Sequence, residues 1–303
     1  MALEQGISQL VSDFIAAGRP SAGEQSIDDR RAGYLASTTL AGETETRVAV
    51  SELTLEEIRF RCYSPQNATD NLPALIYYHG GCFVSGGFDT HDKQLRQLAF
   101  YSGCRVIAVQ YRLAPEHRWP AAHDDARRGA ELIRQNAQQL GIDPQRITLA
   151  GDSAGGHLAL VTALRLKAAG EWQPAQLILI YPMLDATAWF DSYTLNGADY
   201  VITREALLSG YTHYLGETDR LLPDVSPLWR TDFNGLPPTH IVTAEFDPLC
   251  DEGESLYQRM TEQGVACSCS RYPGVIHGFF QLAGISRTAV DVIHDVASRI
   301  ARV

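Results

Sequence analysis

The apolar positions at the start of the chain repeat at the spacing of a helix. Leu3, Ile7, Leu10, Val11 and Phe14 fall on one stripe when this segment is wound as an α-helix. We therefore expect an amphipathic N-terminal helix that packs on its own domain. Binding of the helix to a membrane is the less favoured alternative, because residues 2–18 contain no basic side chain.

From residue 55 onward, short apolar runs alternate with segments of helical period. The predicted strands are LEEIRFRCY (55–63), PALIYYH (73–79), CRVIAVQ (104–110), RITLA (146–150), QLILIY (176–181), THIVTA (239–244) and ACSCSRY (266–272). The predicted helices in this region lie at 90–102, 121–139 and 286–301. Such alternation is typical of an α/β fold with a mostly parallel central sheet and helices on both faces.

Residues 182–238 form an unusually long connection between two predicted strands, since αβ connections usually need only about 2 to 6 residues. Within this connection, Thr203 can cap a helix that ends at Gly216. The helix would carry Leu207, Leu208, Tyr211, Tyr214 and Leu215. The insertion could cover a crevice at the carboxyl edge of the sheet, where α/β proteins bind ligands. A surface excursion without a role is the alternative.

Composition narrows the functional classes. The 303 residues allow one large α/β domain with an insertion, or two ordinary domains, and the net charge of −11 disfavours nucleic acid and anionic lipid as partners. The six cysteines include no CxxC pair, so we expect neither a zinc site nor a disulfide framework; Cys267 and Cys269 should share one face of a buried strand. No secretory leader or apolar span is recognisable, and we expect a reduced, cytoplasmic protein.

The segment Gly151-Asp152-Ser153-Ala154-Gly155 fits the pattern G-x-S-x-G. An apolar, strand-like run precedes it and a helical run without charge as far as Arg165 follows it. In this context the motif predicts a sharp turn that lifts Ser153 clear of the sheet at the positive end of a helix dipole. Ser153 is therefore our candidate nucleophile, and a structural turn is the alternative.

A serine hydroxyl needs a base to take its proton, and five histidines follow Ser153. They are His157, His213, His240, His277 and His294. Only His277 is predicted to lie in a glycine-containing loop directly after a strand, at the edge where Ser153 should emerge. We therefore choose His277 as the base.

The acid that orients the base should also follow a strand. Glu245, Asp247 and Asp251 come after THIVTA, and Asp247, before Pro248, is the best placed. Asp251 is explained by the first turn of the next helix, where the dipole favours a carboxylate. Glu245 remains the competitor.

Backbone N–H groups are needed to stabilise the oxyanion of a tetrahedral intermediate. His79-Gly80-Gly81-Cys82 follows a predicted strand and fits a glycine-rich oxyanion loop of the HGGG type. A generic Gly-Gly turn is the alternative reading.

Several segments resemble the hormone-sensitive-lipase-like branch of the α/β-hydrolases, especially its bacterial acetyl-esterase-like carboxylesterases. These segments are YHGGCFVSGGFDTHD (78–92), YRLAPEHRWPAA (111–122), GDSAGG (151–156), EFDPLCDEG (245–253) and YPGVIHGF (272–279). They occur in the family's order. The N-terminal region is similar in its expected role only.

The resemblance implies the same triad of Ser153, Asp247 and His277. It implies oxyanion donors from Gly80, Gly81 or Cys82 together with Ala154, and support of the loop by His79 and Asp152. It also implies a helical cap made of segment 1–45 and insertion 185–238, on a hydrolase core of residues 46–184 and 239–303. Cys82 departs from the family, since it replaces a third glycine and its Cβ narrows the allowed φ.

From these observations we expect a serine carboxylesterase that hydrolyses short-chain acyl esters and needs no metal or organic cofactor. An amidase or lactonase with the same triad, or a receptor of the same fold without turnover, are the alternatives. Aromatic side chains could line the acyl or alcohol pocket, although such residues are as often ordinary core: Phe83, Trp119, Trp189, Phe190, Tyr193, Tyr211, Tyr214 and Phe280. The expected partner is a small-molecule ester, without nucleic acid or membrane insertion; the sequence leaves room for a homodimer.

Overall fold

A computed structural model describes residues 2–18, 23–66 and 68–303. Met1 and residues 19–22 of the predicted segment 1–45, and residue 67, lie outside these ranges. Within them, no helix has both the length and the apolar character required to cross a bilayer.

Within the described residues, the sheet has eight strands in the order β1-β2-β4-β3-β5-β6-β7-β8. The strands are β1 (Val48–Leu55), β2 (Ile58–Pro65), β3 (Leu72–Tyr78), β4 (Arg105–Gln110), β5 (Ile142–Asp152), β6 (Gln176–Ile180), β7 (Thr239–Phe246) and β8 (Cys267–Ile276). Among the neighbouring pairs of these eight strands, only β1–β2 and β2–β4 are antiparallel. The predicted mostly parallel sheet is therefore confirmed.

The sequence prediction was wrong at the first edge of the sheet. It gave a single strand at 55–63, whereas the chain forms a hairpin in which β1 turns through Glu56 into β2. Glu56 adopts a φ of 53°, as a tight turn requires. β1 is an edge strand with only one fully buried residue, Val48, so its apolar signal is weak.

Helices cover both faces of the sheet. They are α1 (Gln5–Ala16), α2 (Ile27–Ala36), α3 (Phe88–Ser102), α4 (Ala121–Gln135), α5 (Ala154–Ala168), α6 (Ser192–Leu195), α7 (Arg204–Leu215), α8 (Cys250–Glu262) and α9 (Arg287–Ile300). Short 3₁₀ helices lie at Ser37–Ala41, Pro227–Trp229 and Phe279–Gln281. The predicted flanking helices are confirmed, although α4 ends at Gln135 rather than at residue 139.

Two apolar cores lie on the two faces of the sheet. One joins the sheet to α4, α5, α8 and residues 185–238, and the other joins it to α1, α3 and α9. α5 is buried over nearly its whole length, which explains why it carries no charge before Arg165.

The N-terminal helix packs on its own domain, as predicted. Ile7 and Val11 of α1 are buried, and the backbone amide of Glu4 donates to the carbonyl of Gly274 in β8. The Glu4 carboxylate accepts hydrogen bonds from the Ser286 hydroxyl and the Arg287 amide at the start of α9. The beginning and the end of the described chain are thus joined.

We call residues 185–238 the insertion; it contains α6, α7 and the 3₁₀ helix at Pro227–Trp229. The predicted helix capped by Thr203 is confirmed as α7: the Thr203 hydroxyl accepts from the Ala206 amide, and Gly216 ends the helix with a φ of 56°. Both features are those that the sequence indicated.

None of the six cysteines, all of which lie in the described ranges, is in a disulfide. Cys267 and Cys269 do lie on one face of β8, but both are only partly buried. β8 is an edge strand, so the prediction of one shared face was correct and the prediction of a buried strand was wrong.

Candidate active site

The register of the sheet brings two predicted site residues together. Phe246, the last residue of β7, lies opposite Ile276, the last residue of β8, so Asp247 and His277 begin neighbouring loops. Ser153 follows β5 at the same carboxyl edge. Parallel strands end at one edge of a sheet, and ligands bind there in α/β folds.

The turn at Ser153 is as sharp as the motif predicts. Ser153 has φ 55° and ψ −117°, a conformation that a non-glycine residue seldom adopts. Gly151 and Gly155 let the elements approach: a Cβ at Gly155 would lie 1.8 Å from the Tyr78 carbonyl oxygen, and one at Gly151 would lie 2.3 Å from the Gly155 backbone. No larger residue fits at either position without moving β3 or α5.

Ser153, His277 and Asp247 form one hydrogen-bonded line. His277 Nε2 lies 3.0 Å from Ser153 Oγ, and His277 Nδ1 lies 2.8 Å from Asp247 Oδ2. Asp247 is fully buried, and its other oxygen accepts from the Leu249 amide at 2.7 Å. A carboxylate can only accept here, so Nδ1 carries a proton and Nε2 of the neutral ring is free to take the serine proton.

The competing residues have other partners. Glu245 accepts a hydrogen bond from the Gly274 amide. Asp251, in the first turn of α8, accepts one from the Ser192 amide. His157 Nδ1 contacts the Met183 carbonyl, and His240 Nδ1 contacts Ser268. The geometry thus brings together the three residues chosen from the sequence.

Sequence reasoning missed the support that α6 gives to the Asp247 loop. The Ser192 hydroxyl donates to the Pro248 carbonyl at 2.6 Å, and Asn196 Nδ2 donates to the carbonyls of Glu245 and Asp247 at 3.3 and 3.2 Å. No sequence motif marks Ser192 or Asn196, because their partners lie about fifty residues further along the chain.

The loop after β3 supplies backbone N–H groups beside Ser153, but not all of those predicted. The Gly80 amide donates to Asp152 Oδ1 at 2.9 Å and is therefore not available to an oxyanion, which corrects the prediction for Gly80. The amides of Gly81 and Cys82 make no hydrogen bond within the described part of the chain. Ala154 is the first residue of α5, where backbone amides have no partner inside the helix.

Asp152 supports the loop that follows β3. Its Oδ1 accepts from the Tyr77 hydroxyl at 2.8 Å as well as from Gly80, and His91 Nε2 lies 3.0 Å away. Burial alone would raise the pKa of Asp152, but the neighbouring His91 and the hydrogen bond from Tyr77 hold that pKa below its ordinary value. Asp152 is thus a buried carboxylate whose charge fixes the first glycine of the loop.

Tyr77 and His91 were not singled out from the sequence. His91 belongs to the stretch FDTHD that carries part of the resemblance, and this was the signal available. His79, which was singled out, is buried and stacks on Tyr111 with 4.2 Å between ring centroids; burial lowers its pKa to about 3. A neutral His79 therefore fills the space beneath the loop.

The loop is strained and clamped. Cys82 and Phe83 both have positive φ, 54° and 63°. Arg31 of α2 donates to the carbonyls of Val84 and Ala114 and pairs with both carboxylate oxygens of Glu116. A left-handed conformation costs a non-glycine residue of order 1 kcal/mol, so surrounding contacts must hold it.

The aromatic pocket candidates lie in several environments. Four of them are buried: Phe83, Tyr193, Tyr211 and Phe280. Phe83 stacks on Tyr214, and Phe280 stacks on Tyr77. The Tyr193 hydroxyl donates to Glu252. Trp119 is partly buried, with its backbone amide bonded to the Tyr214 carbonyl. Trp189 is 79% exposed, and Phe190 stacks on Trp229. The Tyr211 hydroxyl is buried without a hydrogen-bond partner among the described residues.

No group of three or more histidine, cysteine or acidic side chains in the described ranges has the arrangement of a metal site.

Comparisons with known proteins identify the fold family and the relatives of this chain. Residues 75–281 match the family described as alpha/beta hydrolase fold. Carboxylesterase NlhH of Mycobacterium tuberculosis is 38% identical, covering 78% of this chain and 76% of that protein. Ethyl acetate hydrolase of Pseudomonas putida is 35% identical, covering 93% of this chain and 92% of that protein.

Solved structures extend the likeness to the whole chain. The hyperthermophilic esterase of the archaeon Pyrobaculum calidifontis superposes with a TM-score of 0.93 and 35% identity, covering 100% of this chain and 99% of that one. An alpha/beta hydrolase from the metagenome of Lake Arreo, solved as a Ser161Ala mutant, gives a TM-score of 0.93 and 36% identity, covering 99% and 98%. The chain belongs to the α/β-hydrolase fold family, in its hormone-sensitive-lipase-like branch of esterases.

Proposed function

We propose that this chain hydrolyses short-chain carboxylic esters through the triad Ser153, His277 and Asp247. The observation that carries the proposal is the unbroken line from Asp247 Oδ2 through both nitrogens of His277 to Ser153 Oγ, at 2.8 and 3.0 Å. The line lies at the carboxyl edge of the sheet beside two backbone amides without partners in the described chain.

In the first half of the reaction, His277 Nε2 takes the proton of the Ser153 hydroxyl as Oγ bonds to the acyl carbon. The negative charge moves to the former carbonyl oxygen, which accepts hydrogen bonds from the amides of Gly81, Cys82 and Ala154. The C–O bond to the alcohol then breaks, and His277 gives its proton to the leaving oxygen. Asp247 stabilises the imidazolium throughout.

In the second half, a water molecule replaces the alcohol. His277 takes a proton from the water as the oxygen attacks the acyl carbon, and the same amides hold the second oxyanion. Cleavage of the acyl–Oγ bond releases the carboxylic acid, and the proton on His277 returns to Ser153.

Segment 1–45 and the insertion form the cap in this proposal. Support comes from Arg31 in α2, which reaches the loop at Val84, and from α6, which reaches the loop of Asp247. The aromatic side chains named above line the acyl and alcohol pockets in this proposal, with the unpartnered Tyr211 hydroxyl as the strongest candidate. A cytoplasmic location and a homodimer remain predictions from the sequence.

The preference for short acyl groups is supported by relatives named acetyl esterase and ethyl acetate hydrolase. It is tested by kcat/KM on p-nitrophenyl esters from acetyl to decanoyl, measured for the wild type and for Ser153→Ala. We expect a maximum at the short end, and a loss of at least about 10⁴-fold in kcat for a folded Ser153→Ala protein. Near wild-type turnover by that variant would exclude the triad, and a maximum at decanoyl would exclude the short-chain preference.

A further inference from the structure

Helix α7 touches two consecutive residues of the oxyanion loop, Cys82 and Phe83, with two of its own residues. Gly210 faces Cys82, and Tyr214, one helical turn later, stacks on Phe83 with 4.0 Å between ring centroids and 11° between ring planes. Residues four apart lie on one face of a helix. A single face of α7 therefore contacts the loop.

The contact at Gly210 leaves no space. A Cβ built on Gly210 would lie 2.7 Å from Cys82 Cβ, and the next two nearest atoms, Sγ at 3.4 Å and the carbonyl oxygen at 3.5 Å, also belong to Cys82. Rotation about χ1 can move Sγ, but Cβ is fixed to the backbone. Any side chain at position 210 must therefore displace the backbone of the loop or of the helix.

The loop residues in this contact are the strained ones. The φ values of 54° at Cys82 and 63° at Phe83 place both in the left-handed region. Phe83 is fully buried between Tyr214 and His157, whose ring meets it edge-on at 5.2 Å, and the Phe83 carbonyl accepts from the Ala114 amide. Such a conformation persists only where several contacts determine it.

We propose that α7 sets the position of the Cys82 backbone amide, with Gly210 as a positioning residue for transition-state stabilisation. The inference rests on the proposed function, in which that amide donates to the oxyanion. The side chain at position 82 faces the insertion, and the glycine at position 210 leaves the space that this side chain occupies. The insertion thereby acts on the rate of the chemical step, and not only on access to the site.

The test is Gly210→Ala alone and in the background of Cys82→Gly, assayed on p-nitrophenyl acetate. Loss of one oxyanion donor costs about 10²- to 10³-fold in kcat, so a displaced donor should cost at least about tenfold, with KM within about twofold. Cys82→Gly removes the opposing Cβ. In that background, Gly210→Ala should change kcat by less than about threefold.

Gly33→Ala in α2 is the matched control, because a Cβ there meets nothing within 4 Å. It should leave kcat and KM unchanged. Melting by circular dichroism reports whether each variant is folded. If Gly210→Ala is unfolded, the proposal still requires that Cys82→Gly restore both folding and activity.

Three outcomes would overturn the proposal: unchanged kcat in folded Gly210→Ala, an equal loss with and without Cys82→Gly, or failure of Cys82→Gly to restore an unfolded Gly210→Ala protein. Ser153→Ala measured in parallel separates this inference from the proposed function. If that variant is inactive while Gly210→Ala is normal, only the role of α7 is wrong. If it retains turnover, the proposed function itself is wrong.

Discussion

The triad loops and the oxyanion loop are held in different ways. Asp247 and His277 follow a pair of neighbouring strands directly, so the sheet register brings them together, and hydrogen bonds from Ser192 and Asn196 support the Asp247 loop. The loop from His79 to Ser85 depends instead on contacts from Arg31, Asp152 and α7. The proposed nucleophile and its base are thus positioned mainly by the sheet, whereas the glycine-rich loop is positioned by contacts from distant parts of the chain.

The two halves of the site should therefore respond differently to substitution. A change in a triad residue removes a reacting group or its orienting partner. A change around the loop leaves every reacting group in place and shifts a backbone amide by a fraction of an ångström. The first should abolish turnover, and the second should reduce it by degrees.

The largest effect in this comparison is expected for Asp247→Asn. An asparagine amide can present its NH₂ group to His277 Nδ1 and favour the wrong tautomer, and the corresponding change in a serine protease lowers kcat by about 10⁴-fold. Steady-state kinetics on p-nitrophenyl acetate measure the loss. Glu245→Gln is the control, because the Glu245 carboxylate accepts from the Gly274 amide rather than from His277. A greater loss in Glu245→Gln than in Asp247→Asn would show that Glu245 is the acid.

A smaller effect is expected for Asp152→Asn. The substitution keeps the size of the side chain but removes the charge that the Gly80 amide and His91 face, so we expect kcat to fall by about 10- to 100-fold through disorder of the loop. Tyr77→Phe removes only one of the hydrogen bonds to Asp152 and should cost less. Equal rates for Asp152→Asn and the wild type would show that the loop does not need this carboxylate.

The smallest effect is expected from His157, which contacts Phe83 of the oxyanion loop and should lower the free energy of unfolding at low pH. Burial lowers the pKa of His157 to about 4, against about 6.5 in the unfolded chain. Between these values the unfolded state binds the proton more tightly, so the free energy of unfolding decreases as pH falls. From pH 7 to 5.5 this histidine should account for a loss of about 1 kcal/mol.

Urea unfolding at pH 7 and 5.5 measures this contribution. His157→Gln should lose less stability over that interval than the wild type does. His117→Gln is the control, because His117 is exposed. A pH dependence identical in His157→Gln and the wild type would contradict the assignment.

The sequence was sufficient to select the three side chains that the structure brings together, because each of them carries a local signal. Ser153 lies in a glycine-flanked turn, and Asp247 and His277 lie in loops that follow segments with a strand pattern, β7 and β8. Hydrophobic period and turn chemistry are determined by near neighbours in the chain, and so the same signals also predicted the positions of strands β3 to β8 along the sequence. The helix capped by Thr203 was predicted for the same reason.

What the sequence did not predict depends on contacts between distant residues. The Gly80 amide donates to Asp152, 72 positions away, and Cys82 contacts Gly210, which lies in the insertion. In neither pair does the local sequence of one residue indicate its partner. β1 was missed for a different reason, since an edge strand exposed on much of its surface has little apolar signal.

The hydrogen bonds of α6 have a consequence for protein engineering. A chimera that exchanges the whole insertion for that of a relative, to alter substrate range, would also remove Ser192 and Asn196. The carbonyls of Pro248 and Asp247 would then lose their donors, and the new enzyme would lose activity for a reason unrelated to its pocket. The junction of such a graft belongs after Asn196, so that the recipient keeps α6 and only α7 and the segment beyond it are exchanged.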